Sequence, residues 1–416
     1  MSETPSSPTS SPALDNCWEN RWLLPEGVDE YLPPEAERLE MLRRDLLDLF
    51  FSWGYELVIP PLIEYLESLL VGAGNDLDLE TFKLIDQYTG RMMGVRADMT
   101  PQVARIDAHR LKREVPVRLC YVDVVLHTRR HGFALSRNPL QIGAELYGHG
   151  GIESDIEMLR LMVRTLRVAG LQHFHIDLGH VGIFRALARE AGLSADQENV
   201  LFDALQRKAR PEIETLLGSW QLAVPQRRML GALVDLNGDA GVLDEARRLL
   251  AEAGAEVQHA LDNLAQMAEA VQCQLATIEL HYDLAELRGY RYQSGVVFAA
   301  FAPGHGQEIA RGGRYDEIGR LFGRTRPATG FSSDLKTLLA LNPGPQAIPR
   351  AILAPPWSDD DTLRDLIRRL RNEGERVILL LPGQADDPRA MGCDRRIVMR
   401  DGQWTVVPVD AREGDG

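Results

Sequence analysis

The order of the strand-like segments narrows the fold more than any other feature. Segments of β character stand around Met92 to Arg96, Val117 to Leu126 and Leu140 to Tyr147, then from Gly295 (GVVFAAF) into RGGRYD at 311–316. No helix alternates regularly between them, whereas a doubly wound parallel sheet needs a crossover helix after each strand. The order therefore points to an antiparallel sheet with helices packed on it, an α+β architecture. Neither G-x-G-x-x-G nor G-x-x-x-x-G-K-[ST] occurs, so the two common phosphate-cradling loops are missing from the sequence. In RGGRYD, Gly312 and Gly313 leave two readings open, a tight turn beside a pocket or a strand bulge.

Upstream, Pro33 to Trp53 places Leu39, Leu42, Leu46, Leu49 and Trp53 at helical spacing, with the prolines suited to a first turn and Gly54 to a stop. Tyr55, Leu57 and Ile59 then alternate as in a strand, which ends at Pro60 and Pro61 because proline cannot donate to a ladder. Ile152–Gly170 reads as a helix and FHIDLG as a strand. The Ala-, Leu-, Glu- and Arg-rich stretch 183–271 reads as a helical insertion within a core domain spanning 18–341, which closes with a helix near Ser333 to Leu341. Residues 1–17 form a polar tail expected to be disordered, and the proline-bearing segment 342–350 a linker. Residues 350–416, with AILAPP, DDDTLRDLIRRLRNEG and VILLLPG, read as a small C-terminal α/β unit of strand, helix and strand.

Charge and cysteine usage exclude several classes. Lys and Arg total 46 against 61 Asp and Glu, a formal net charge of -15, so the surface as a whole repels a phosphate backbone and no nucleic-acid partner is expected. The four cysteines, Cys17, Cys120, Cys273 and Cys393, contain no CxxC and have no histidine at zinc spacing, which fits small apolar fillers in a reducing cytoplasm and no bound metal. His127, His131, His173, His175 and His180 likewise lack supporting ligands and read as packing or surface residues. No run approaches the ~20 apolar residues of a membrane span, so no membrane partner is expected.

Five stretches, in order, resemble one family. LPEGVDEYLPPEAERLEMLRRDLLDLFFSWGYELVIPPLIEY, from Leu24, is similar to motif 1 of class II aminoacyl-tRNA synthetases and to histidyl-tRNA synthetase in particular, with Pro61 at the motif proline. GRMMGVRADMTPQVARI, QIGAELYG, LRGYRYQSGVVF and ARGGRYDEIG are similar to that enzyme's amino-acid pocket, motif 2 exit strand, histidine loop and glycine-rich strand. The resemblance implies a class II synthetase-like antiparallel sheet flanked by helices and dimerising through motif 1. It also implies that GGRYD lies beneath a ligand, and that Asp98, Thr100, Gln141, Glu145, Arg288 and Tyr292 form a histidine-binding pocket. Carboxylates there would grip an ammonium, the arginine a carboxylate, and tyrosine or glutamate an imidazole N–H. Simpler roles stay open at the same residues: Asp98 as the cap of the helix that TPQVARIDAHR starts, Glu145 and Arg288 as a solvated pair. Arg291 and Gln293 depart from the family pattern of an aspartate and a second tyrosine.

The resemblance breaks where ATP would be held. The motif 2 arginine position falls at His127 and the motif 3 arginine position at Thr337. A neutral imidazole and a hydroxyl cannot replace two permanently charged forks on a triphosphate. Arg129, two residues beyond His127, is the candidate substitute if both sit on one strand face. A full anticodon-binding domain is not expected either, since the unit after the linker is short. This combination is similar to the regulatory subunits of ATP phosphoribosyltransferase. That similarity implies no catalytic residues and no cofactor of its own, and a role in the first step of L-histidine biosynthesis with feedback by histidine. It further implies a short-form catalytic ATP phosphoribosyltransferase subunit as partner, in a hetero-oligomer with this chain as the homodimeric core. An active histidyl-tRNA synthetase-like ligase is the competing expectation.

Overall fold

The structure, a computed structural model, describes residues 22–70, 75–129, 136–272, 278–285, 293–342 and 350–409. The expected tail at 1–17 and most of the linker lie outside these. The described residues fall into two compact units divided between Asn342 and Pro343.

The first helix, α1 (Glu35–Ser52), follows the apolar spacing of its sequence. Leu42, Leu46 and Phe50 are buried, and Leu39, Leu49 and Trp53 pack at the edge of the same core. Phe50, one turn beyond Leu46 on the same face, is fully buried, edge-on to Phe331 with ring centroids 6.1 Å apart. Fully burying such a ring contributes about 1.5–3 kcal/mol. Gly54 ends the helix at φ 84°, a left-handed conformation that glycine adopts without steric cost.

The strand expected at Tyr55–Ile59 is shorter and turned differently. Only β1 (Glu56–Leu57) joins a ladder; Tyr55 is buried, whereas Leu57 and Ile59 are 48% and 76% exposed. The apolar alternation there serves an outer face instead of the core. β2 (Ile63–Tyr65), β3 (Phe82–Ile85) and β4 (Met92–Val95) form a small antiparallel sheet with β4 central. α2 (Thr100–Ile106) follows, continuing into a π-turn at Asp107–Leu111.

β5 (Val117–Val124) and β6 (Leu140–Tyr147) pair antiparallel, then come α3 (Ile152–Val168) and β7 (His175–His180). Between Val181 and Gln272 the chain is helical as expected, except that β8 (Asn237–Gly238) reaches the sheet edge and pairs with β9 (Glu279–Asp283). β10 (Val296–Phe301), β11 (Glu308–Arg314) and β12 (Ala328–Asp334) complete a nine-stranded sheet in the order β1-β5-β6-β12-β11-β10-β7-β9-β8. Its centre is antiparallel, and the β1/β5 and β7/β9 pairs are parallel. α4 (Leu335–Leu341) starts two residues later than expected, because Ser333 and Asp334 belong to β12 and the Asp334 carboxylate caps the helix.

The pleat sends alternate residues to two different cores. Cys120, Ile142, Ala144 and Leu146 join the large cluster beneath α1, α3 and the helical segment. Val117, Leu119, Tyr121 and Tyr147 face the opposite side, where Met99, Val103, Tyr315 and Phe322 pack around them. The candidate site stands on this second face.

The C-terminal unit is a four-stranded sheet with one helix. β13 (Ala351–Ala354), α5 (Asp361–Asn372) and β14 (Val377–Leu379) are the expected strand, helix and strand. β15 (Cys393–Arg400) and β16 (Gln403–Pro408) form an unexpected hairpin. Its signal was present as Asp401-Gly402, whose φ values of 47° and 74° make the two-residue turn that Asp-Gly favours. Cys120 and Cys393 are buried free thiols, and burial pushes Cys120 up to about 12, so it behaves as an apolar filler.

Candidate functional site

Glu145 is the centre of the site. The alternation in QIGAELYG aims it at the second face of the sheet, where it is 1% exposed. Its Oε1 accepts from Thr100 Oγ1 and Tyr121 Oη, each at 3.0 Å, and its Oε2 accepts from Tyr315 Oη. Burial, only partly offset by these hydroxyls, pushes its carboxyl up to about 8. The expectation of a solvated Glu145 is therefore wrong: three elements, α2, β5 and the turn after β11, enclose it.

A second group adjoins it. Gln141 Nε2 donates to Asp98 Oδ1 at 2.8 Å, and Gln141 Oε1 accepts from the Met99 amide at 2.9 Å. The same Asp98 oxygen accepts from the Thr100 amide at 3.1 Å, a turn contact just ahead of α2; the N-cap position itself is Met99 and carries no side-chain cap, so the capping reading of Asp98 is not met. Asp98, Thr100, Gln141 and Glu145 thus converge. Arg288, Arg291 and Tyr292 lie outside the described residues. Tyr121 and Tyr315 are partners that the sequence reading missed. Tyr315 was visible in RGGRYD, but nothing local says that its hydroxyl ends on Glu145.

The glycines of RGGRYD are explained by protein neighbours on both faces. A Cβ on Gly312 would clash with the Phe298 ring and the Gly330 carbonyl. One on Gly313 would meet the Val296 carbonyl at 2.5 Å and Gln293 Oε1 at 2.8 Å. The sheet's irregularity lies elsewhere, at Ala300/Phe301. Beyond the glycines, Arg314 donates to Asp155, Ser154 and the carbonyls of His149 and Gly151, which makes it a structural anchor.

The two positions that the resemblance assigns to synthetase arginines carry local hydrogen bonds in this structure. The His127 ring donates from Nε2 to the Ala97 carbonyl at 2.9 Å. Thr337 Oγ1 donates to Asp334 Oδ2 at 2.7 Å, reinforcing the cap of α4. The proposed substitute fails on geometry: β5 ends at Val124, so His127 and Arg129 lie beyond the strand and share no pleat, and Arg129 is exposed. Arg311, in register with Ser332, stands on the same sheet face as Glu145, exposed and 3.5 Å from Glu308. Among the described residues no group of His, Cys, Asp or Glu is placed to hold a metal ion.

Known proteins match both the core and the C-terminal part of the chain. The family model described as histidyl-tRNA synthetase matches residues 27–338, and that of the ATP phosphoribosyltransferase subunit HisZ C-terminal domain matches 349–407. The ATP phosphoribosyltransferase regulatory subunit of Thioalkalivibrio sulfidiphilus is 62% identical over 93% of this chain and 98% of that protein. That of Alkalilimnicola ehrlichii is 58% identical over 94% and 98%. Among solved structures, an ATP phosphoribosyltransferase regulatory subunit/histidyl-tRNA synthetase from Bacillus halodurans superposes with a TM-score of 0.78 at 29% identity, covering 89% of this chain and 95% of that one. Histidyl-tRNA synthetase from Nostoc, at 19% identity and a TM-score of 0.75 over 94% and 97%, shares the fold. With a synthetase-type core and the matching C-terminal domain in one chain, this protein belongs to the ATP phosphoribosyltransferase regulatory subunit family.

Proposed function

We propose that the chain is the non-catalytic regulatory subunit of an ATP phosphoribosyltransferase, required for the first step of L-histidine biosynthesis. One observation carries this reading: at the two triphosphate-clamping positions, His127 and Thr337 are spent on local hydrogen bonds to Ala97 and Asp334. Transition states of phosphate chemistry are stabilised by fixed cations, and neither residue supplies a permanent one.

The finer reading has three parts. L-Histidine binds over Asp98, Thr100, Gln141 and Glu145, with the Asp98 carboxylate suited to the ammonium and the Glu145 carboxyl and neighbouring hydroxyls to the imidazole; Arg288 and Tyr292 complete the pocket. The chain forms a homodimer through the motif 1 face, where Met41, Phe51, Leu57 and Ile59 are exposed apolar residues. A short-form catalytic subunit joins this dimer in a hetero-oligomer, and histidine binding at one site lowers turnover at the other through the shared assembly. No helix among the described residues is long and apolar enough to cross a membrane, and we place the complex in the cytoplasm.

Activity of the cognate catalytic subunit, measured with and without this chain, tests the proposal. Stimulation on mixing is expected, together with no histidine-dependent ATP–pyrophosphate exchange by this chain alone. A robust exchange signal would overturn the reading. Titration calorimetry of histidine into the chain and into the complex separates a sensor from a scaffold, since no heat in either case leaves only assembly.

A further inference from the structure

The C-terminal unit carries a groove of about 300 Å³ along α5, floored by Leu363, Ile367 and Leu379 and walled by Trp357, which is 68% exposed. Every charged residue lining it is an arginine: Arg364, Arg368 and Arg371. The aspartates that pair with two of them, Asp361 and Asp365, lie outside the lining, so the cations face an apolar floor in a chain of net charge -15.

We propose that this groove docks an acidic, aliphatic segment of the catalytic subunit, an inference that rests on reading the chain as a subunit of ATP phosphoribosyltransferase. The volume is at the low end for a small-molecule pocket and suits side chains of a docked segment better. Tryptophan and arginine are the residue types in which interface energy concentrates, and here the Arg364 guanidinium carbon lies 5.7 Å from the centre of the Trp357 ring. Arg371 is held in place by donating to the Val377 carbonyl at 3.0 Å. Arg364 and Arg368 pair with Asp361 and Asp365, whose side chains are 85% and 69% exposed. Such exposed pairs are weak, so an incoming carboxylate exchanges for them at little cost while an aliphatic side chain fills the floor.

The test uses the full-length chain and its cognate catalytic subunit, with affinity measured by titration calorimetry at low and high ionic strength. Arg364→Glu/Arg368→Glu and, separately, Trp357→Ala are each expected to weaken the complex by ~10-fold or more. The arginine variant should also lose much of the salt dependence of the wild type. Circular dichroism checks that each variant is folded, and Arg364→Gln/Arg368→Gln replaces the reversal if it is not. Wild-type affinity in both variants would overturn the docking site, as would variants that lose self-association but still bind the catalytic subunit. Failure of the wild type to bind the catalytic subunit would remove the subunit reading itself, and the docking site with it.

Discussion

Gly330 lies opposite Glu145 across β6 and β12, and its missing side chain is the space that the Glu145 carboxylate fills. A Cβ at 330 would overlap that carboxylate and stand 2.7 Å from the Ala144 carbonyl. Glu145 cannot swing aside without breaking its bonds to Thr100, Tyr121 and Tyr315. Gly330→Ala is therefore expected to destabilise the core domain by ~1–3 kcal/mol, seen as a lower urea midpoint. An unchanged midpoint would mean that the strands part easily there.

Glu145 should also leave a mark on stability as pH changes. Its folded carboxyl is pushed up to about 8 from 4.5 by burial, so between these values the folded state keeps a proton that the unfolded chain has lost. Stability from this group therefore falls as pH rises through that window. Glu145→Gln should remove the slope, making the variant progressively more stable relative to wild type toward pH 8. Chemical denaturation across a pH series measures the difference, and a constant difference would refute the assignment.

His180 should act in the opposite direction. Burial, and then the nearby His259, lowers its ring to about 4 from 6.5, while its Nδ1 accepts from the Gly182 amide at 3.1 Å and caps the following helix. The unfolded chain takes up a proton first as pH falls, so stability is lost between about 6.5 and 4. His180→Asn keeps a capping acceptor without the titration, and its melting temperature should drop less steeply with acid than that of wild type.

Arg326 and Asp107 form a buried pair, with side chains only 8% and 4% exposed. The guanidinium reaches both carboxylate oxygens, at 3.0 and 3.1 Å, and burial still raises the Asp107 carboxyl above its ordinary range. Removing the cation alone strands a buried carboxylate, so Arg326→Met should cost ~3–5 kcal/mol. Adding Asp107→Asn should recover part of that loss. A double-mutant cycle by urea denaturation reads the coupling, and strictly additive costs would show the two groups to be independent.

The chain's own spacing located most elements and about half of the site. Leu42 and Leu46 on α1, the alternation in QIGAELYG and the helix at Ile152 all follow from local periodicity, which reports one face of one segment. The same logic failed at Leu57 and Ile59, because alternation reveals that a face is apolar and not what will cover it. β12 went unread since ATGFSSD offers small and polar residues. Its place is set by its neighbours β6 and β11, with Gly330 yielding to Glu145.

What the sequence determined by itself was the class of fold, the loss of permanent cations at His127 and Thr337, and the identity of Asp98, Thr100, Gln141 and Glu145 as candidates. Tertiary structure alone decided that Glu145 is dry and held by Tyr121 and Tyr315, that Arg129 sits beyond the strand, and that Arg314 and Arg326 are structural. The physical reason is that desolvation and hydrogen-bond partners depend on residues 24 to 219 positions apart, whereas spacing reports only on near neighbours.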